Sequence, residues 1–242
     1  MNSEYLTISG RFCGPPNSGN GGYVCGLTAR NLPGTVTVRL KLPPPLDTPM
    51  RLEWTDESAR LFQDSTVVAE ARASELRLEV PQRPSLAQAA LAAKGYPGLA
   101  EHPFPRCFVC GPAREPADGL RIFPGPVHGQ SIHAAPWVPD ASLADAQHQV
   151  APEFIWSALD CPSGFAVLPL PQGMAIVLGE LTASIVGTVT AGRAYVLTSW
   201  PIAHEGRRRT AGAAIHDEDG ILVASARAVW IEVPRDQWAP AS

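Results

Sequence analysis

Apolar and polar residues alternate along both halves of the chain. Thr35-Val36-Thr37-Val38-Arg39-Leu40-Lys41-Leu42 puts Val36, Val38, Leu40 and Leu42 on one face, which predicts a strand ended by Pro43-Pro44-Pro45. Met50-Arg51-Leu52-Glu53-Trp54 alternates again, and residues 59–62 run into the turn Gln63-Asp64-Ser65. Residues 66–80 predict one long strand closed by Pro81, and residues 5–13 a first strand. In the second half, residues 174–185, 195–200 and 222–233 carry the same character.

Two short segments break this period. Glu153-Phe154-Ile155-Trp156-Ser157-Ala158-Leu159-Asp160-Cys161 reads as a helix that is apolar nearly all round, and therefore buried. Pro162 is expected to stop it. Asp160 is then a carboxylate in an apolar setting, costly unless paired or hydrogen-bonded. A catalytic role and a plain cap or Arg bridge both remain open for it. The second segment is Asn17-Ser18-Gly19-Asn20-Gly21-Gly22, leading into the helix Tyr23–Leu32. A glycine-rich loop that opens a helix exposes backbone N–H groups suited to an anion or a polarised carbonyl. A tight turn capped by Asn explains the same residues.

The order of elements occurs twice. Val67-Val68-Ala69-Glu70-Ala71-Arg72-Ala73 matches Leu222-Val223-Ala224-Ser225-Ala226-Arg227-Ala228, and the strand ending at Trp54 matches the one ending at Trp200. Leu76–Pro81 matches Val229–Pro234, and Arg11–Pro15 echoes Cys107–Pro112. A helix followed by meandering strands, twice, predicts a duplicated α+β unit. Between the copies, residues 84–94 are Ala-rich behind a Ser cap and predict a helix, and Pro97, Pro103 and Pro105 mark a linker. The expected division is a first unit over 1–83, a linker with helix over 84–104 and a second unit over 105–242.

The chain has 242 residues and a net charge of −4, so no basic surface for nucleic acid is expected. Arg207-Arg208-Arg209 is read as a solvated hairpin loop, or else as a contact for ligand phosphates. No apolar run is long enough for a membrane helix, the first residues lack a signal-peptide pattern, and five cysteines fit a reducing compartment. A cytoplasmic protein is expected. Charged residues at 17% are few, which favours self-association into a homo-oligomer. Cys107-x-x-Cys110 lacks a second pair, zinc needs four ligands, and Cys13, Cys161 or His102 could complete the set only by spatial accident, so no metal site is expected. No Gly-x-Ser-x-Gly elbow occurs. Trp54, Trp200 and Trp230 are read as core, and the scattered histidines, His133 and His216 among them, as surface.

The residues quoted resemble those of the hotdog-fold thioesterases in a fused, double form. Asn20-Gly21-Gly22-Tyr23-Val24 resembles the opening of the hotdog helix. Cys107–Pro112 followed by Asp118-Gly119-Leu120 resembles a strand start in phenylacetyl-CoA and 4-hydroxybenzoyl-CoA thioesterases, and Asp160 falls where these enzymes carry an acid. The resemblance implies a double hotdog of two antiparallel sheets, each wrapped around a central helix, in which the two units pair to make a larger sheet. It implies hydrolysis of an acyl-CoA or acyl-carrier thioester at one composite site between the halves, without a cofactor. Asp160 would act as base or nucleophile, Gly22 and Gly21 would polarise the carbonyl, and Asn20 or Asn17 would orient the substrate. Tyr23, Glu153 and Trp156 complete the expected substrate contacts. The family's usual His before the glycines is absent, with Asn20 near its place. A non-catalytic acyl-CoA-binding protein and a hotdog hydratase or dehydratase are the alternative readings.

Overall fold

A computed structural model describes residues 1–238. The chain runs β1 (Asn2–Thr7), α1 (Gly21–Ala29), β2 (Val36–Leu40), β3 (Pro49–Trp54), β4 (Ser58–Gln63) and β5 (Thr66–Ala73). Then follow α2 (Leu86–Ala93), β6 (Gly125–Pro126), β7 (His133–Trp137), α3 (Pro152–Phe165), β8 (Met174–Ile185), β9 (Tyr195–Glu205), β10 (Arg208–His216) and β11 (Leu222–Pro234).

The strands form one antiparallel sheet in the order β1-β3-β4-β5-β2-β8-β11-β10-β9-β7-β6. The first half is ordered β1-β3-β4-β5-β2 and the second, read from its own edge, β7-β9-β10-β11-β8. These are the same topology around one join, with β6 added at the edge. The two sheets of the expected double hotdog are therefore paired into a single continuous one. The join is β2 against β8, where Val36 faces Ala183 and Arg39 faces Glu180. Thr37 and Thr182 share a buried hydroxyl bond of 2.8 Å there. This pairing leaves neither inner strand with an open edge.

The helices α1 and α3 lie together on one face of the sheet, and their contact explains two glycines. A Cβ on Gly22 would stand 2.5 Å from Asp160 Cβ, and one on Gly26 would stand 2.4 Å from Glu153 Cα. Glycine at both positions allows the helices to touch backbone to backbone. Phe12, Tyr23, Phe108 and Phe154 form an aromatic cluster beside this contact, with Phe12 stacked on Tyr23 at 4.3 Å. Helix α2 begins with a full capping box between Ser85 and Gln88. It packs Ala89 and Ala92 against Val127, Ile132, Ala134 and Trp200.

Several expectations are corrected. Pro162 lies inside α3, which continues to Phe165. The Pro162 carbonyl accepts from Ala166 N–H and from Ser199 Oγ, so the last turn is held from outside the helix. Strand β5 ends at Ala73, because its partner β2 begins at Val36 and no described strand pairs with residues 76–80. Leu78 and Val80 instead pack toward the α2 cluster. The first strand stops at Thr7, and Gly10–Phe12 is a 3-10 turn. Arg11–Pro15 and Cys107–Pro112 are not equivalent in the repeat, since the former follows β1 and the latter precedes β7. They touch instead, with Phe108 N–H donating to the Cys13 carbonyl at 2.8 Å. Arg208 and Arg209 belong to β10, and Arg209 is nearly buried, binding Glu232 and the Val167 carbonyl. His216 is buried and His133 half-buried.

Candidate active site

The loop before α1 is built to deliver Asn20. Gly14 N–H donates to Ser18, Gly19 N–H to Pro44, and Asn20 N–H to the Phe12 carbonyl at 2.8 Å. Asn17 takes the left-handed turn at the tip, with φ 61°. Asn20 is then the N-cap, its Oδ1 accepting Tyr23 N–H at 3.0 Å. Its amide nitrogen is left to donate across the helix contact to Asp160 Oδ2, also at 3.0 Å. Gly22 N–H donates to the same oxygen at 2.9 Å. The N-terminus of α1 thus holds a carboxylate supplied by α3, as its dipole favours.

Asp160 is 2% exposed, and its second oxygen, Oδ1, has no hydrogen-bond partner among the described residues. Burial pushes the carboxyl up to about 7, against the opposing pull of the Gly22 and Asn20 hydrogen bonds. Such a group exchanges its proton near neutrality. Gly21 N–H, the first of α1, has no partner among the described residues. Leu178 lies so close that a Cβ on Gly21 would stand 2.9 Å from it.

Asp160, Asn20 and Gly21 line a cavity of about 1020 Å³. Its walls include Leu40, Phe104, Phe165, Leu178 and Trp230, so an apolar chain would be covered on most sides. Lys41 and Arg235, both exposed, also border it. The Trp230 ring lies against Gly164, and its indole N–H donates to Ser163 Oγ, which in turn donates to the Asp160 carbonyl.

The structure brings together three of the expected residues, Asp160, Asn20 and Gly21, and gives Gly22 a different place. Gly22 N–H is committed to Asp160 rather than open toward a carbonyl. Four others lie off the cavity. Asn17 is exposed at its turn, Tyr23 is in the aromatic cluster, and Trp156 packs on Gly26. Glu153 sits in the first turn of α3, facing Gly26. The cavity wall also holds His102, Cys107, Cys110 and Cys161, which the sequence reading set aside. The one local signal for them was the Cys107-x-x-Cys110 spacing.

No family model matches the chain, and no curated protein matches its sequence. Solved structures do match over the whole length. The tesB protein of Mycobacterium avium subsp. paratuberculosis superposes with a TM-score of 0.61 at 13% identity, covering 96% of this chain and 93% of that one. A candidate thioesterase II of Thermobifida fusca gives 0.60 at 14%, covering 96% and 93%. A hot dog fold protein of unknown function from Alicyclobacillus acidocaldarius gives 0.55 at 11%, covering 99% and 94%. At these identities the likeness is one of fold. The chain has a hotdog fold, with two such topologies joined in one sheet.

Proposed function

We propose that the protein hydrolyses acyl thioesters, with the acyl chain in the apolar cavity and the thioester at the start of α1. The observation that carries this reading is the Asp160 carboxylate. One oxygen is fixed by two N–H donors, and the other is unpartnered among the described residues, as is a helix N–H at the same cavity wall. The names of the tesB protein and the candidate thioesterase II, both similar in fold, favour the same chemistry.

In this reading Asp160 Oδ1 takes a proton from water as the water oxygen attacks the thioester carbonyl. Gly21 N–H donates to the oxygen that becomes negative in the tetrahedral intermediate. The carbon–sulfur bond then breaks, and the proton held by Asp160 passes to the departing thiolate. Asn20 and Gly22 position the carboxylate throughout. Lys41 and Arg235, which border the cavity beside Glu70 and Glu101, would meet an anionic CoA arm or carrier phosphate.

Thiol release from a panel of acyl-CoAs tests this, with wild type beside Asp160→Asn. Release that the variant loses supports hydrolysis by Asp160. Equal release from both proteins would overturn the assignment, and acyl-CoA binding without release would favour a non-catalytic binding protein.

A further inference from the structure

Three buried cysteines meet at the cavity wall. Cys107 and Cys110 come from the turn ahead of β6, and Cys161 from α3, next to Asp160. All three sulfurs lie within 4.8 Å of one another, and Cys107 Sγ is 3.6 Å from Cys161 Sγ. Thiolates bonded to one tetrahedral zinc at about 2.3 Å stand roughly 3.8 Å apart. The sulfurs therefore already lie near the spacing that a shared cation requires.

The surroundings suit thiolates. The turn from Cys107 to Gly111 closes so tightly that a Cβ on Gly111 would stand 2.6 Å from the Cys107 nitrogen and from its carbonyl oxygen. Asn20 Nδ2 approaches the Cys107 and Cys161 sulfurs at 3.9 and 3.7 Å. His102 does not supply a ligand in this arrangement, because its Nδ1 accepts Phe104 N–H and its Nε2 then carries the proton.

We propose that Cys107, Cys110 and Cys161 bind one zinc-class divalent cation as thiolates, with the fourth position facing the cavity beside Asp160. Three sulfur donors select a borderline or soft metal over magnesium or calcium. Each thiol gives up its proton as its sulfur–metal bond forms, and the metal keeps its oxidation state. All three cysteines line the cavity, from which an ion would reach them. The site stands independently of the hydrolase reading, since its readout needs no substrate.

The test equilibrates the intact protein with micromolar zinc, desalts it and counts the metal by plasma emission. The expected result is about one zinc per chain, falling at least tenfold in Cys107→Ser and Cys161→Ser. Cys25→Ser, which removes a buried cysteine outside the cluster, keeps the metal, as does Asp160→Asn. Cobalt in place of zinc gives wild type strong thiolate-to-metal charge-transfer absorption, which decides the matter even where a serine variant fails to fold. Wild type that retains no zinc and shows no such absorption would overturn the proposal. So would a folded Cys161→Ser protein with its full metal content.

Discussion

The two central helices begin in pseudo-equivalent places and end up chemically unlike. The cap of α1 is Asn20, which offers an acceptor to its own helix and a donor to the next, whereas the cap of α3 is Ala151, which offers neither. The first residue of α1 is Gly21, whose N–H is unpartnered among the described residues. The first residue of α3 is Pro152, which has no N–H. Across the helix contact, the start of α1 meets Asp160. On α1, Ala29 holds the place that Asp160 holds on α3, each nine residues after its cap. One end thus has donors, a carboxylate and a cavity, while the other has an alanine cap, a proline without an N–H and an alanine in place of the carboxylate. A duplicated fold supplies two positions for a site, and side-chain chemistry decides which is used.

The comparison predicts an asymmetry in mutational effects. Asp160→Asn lowers kcat for thiol release by about 100-fold or more, as loss of a general base does, whereas Glu153→Gln at the start of α3 changes it less than about twofold. Parallel steady-state kinetics check both. A large effect at Glu153 would break the distinction between the two ends.

The same Asp160→Asn change alters stability in the opposite direction. A carboxyl at about 7 when folded and 3.8 when unfolded holds its proton more tightly in the native state. Folding stability from this group is therefore greatest below the unfolded value and is lost as pH rises toward about 7. The uncharged amide of the variant carries no such loss, so the variant gains up to about 4 kcal/mol at pH 8, a gain that fades toward pH 4. Denaturant unfolding at the two pH values measures it. A variant less stable than wild type at pH 8 would contradict the buried-charge account.

The helix contact gives a third expectation. Gly22→Ala and Gly26→Ala each force backbone or Cβ atoms apart and destabilise by about 1–3 kcal/mol. Gly34→Ala meets no atom within 4 Å, though its positive φ adds a local strain of about 1 kcal/mol. Thermal melts of the three variants separate crowding from conformation. A catalytic effect smaller than that of Asp160→Asn is expected at Asn20. Asn20→Ala removes one hydrogen bond to the charged form of Asp160, so kcat falls about tenfold and the pH profile moves to higher pH. An Asn20→Ala profile that moves to lower pH would show that the amide does not stabilise the carboxylate.

The repeat was legible because β-strands and capped helices write themselves locally. The Val67–Ala73 and Leu222–Ala228 match places β5 and β11 at equivalent positions, and the Ser85 capping box announces α2. The resemblance implied that two units pair into a larger sheet, but the β2–β8 join itself was not legible in the residues, since it is a pairing between distant segments. Within the site, Asp160 stood out as a charge in an apolar helix. Tyr23 and Trp156 were misplaced because a helix that is apolar all round has no periodicity to say which side faces a cavity. Pro162 misled as a helix stop because the partner that holds the last turn, Ser199, lies on another strand. Cys161 joined Cys107 across 54 residues, a proximity that spacing cannot show.

The measurement closest to the central claim is the pH dependence of kcat for thiol release, in wild type and in Asp160→Asn. A group at about 7 that acts as a base predicts wild-type activity rising with pH through neutrality and levelling above it, with the variant low at every pH. A variant that keeps the wild-type rate and its pH profile would show that the chemistry does not run through Asp160.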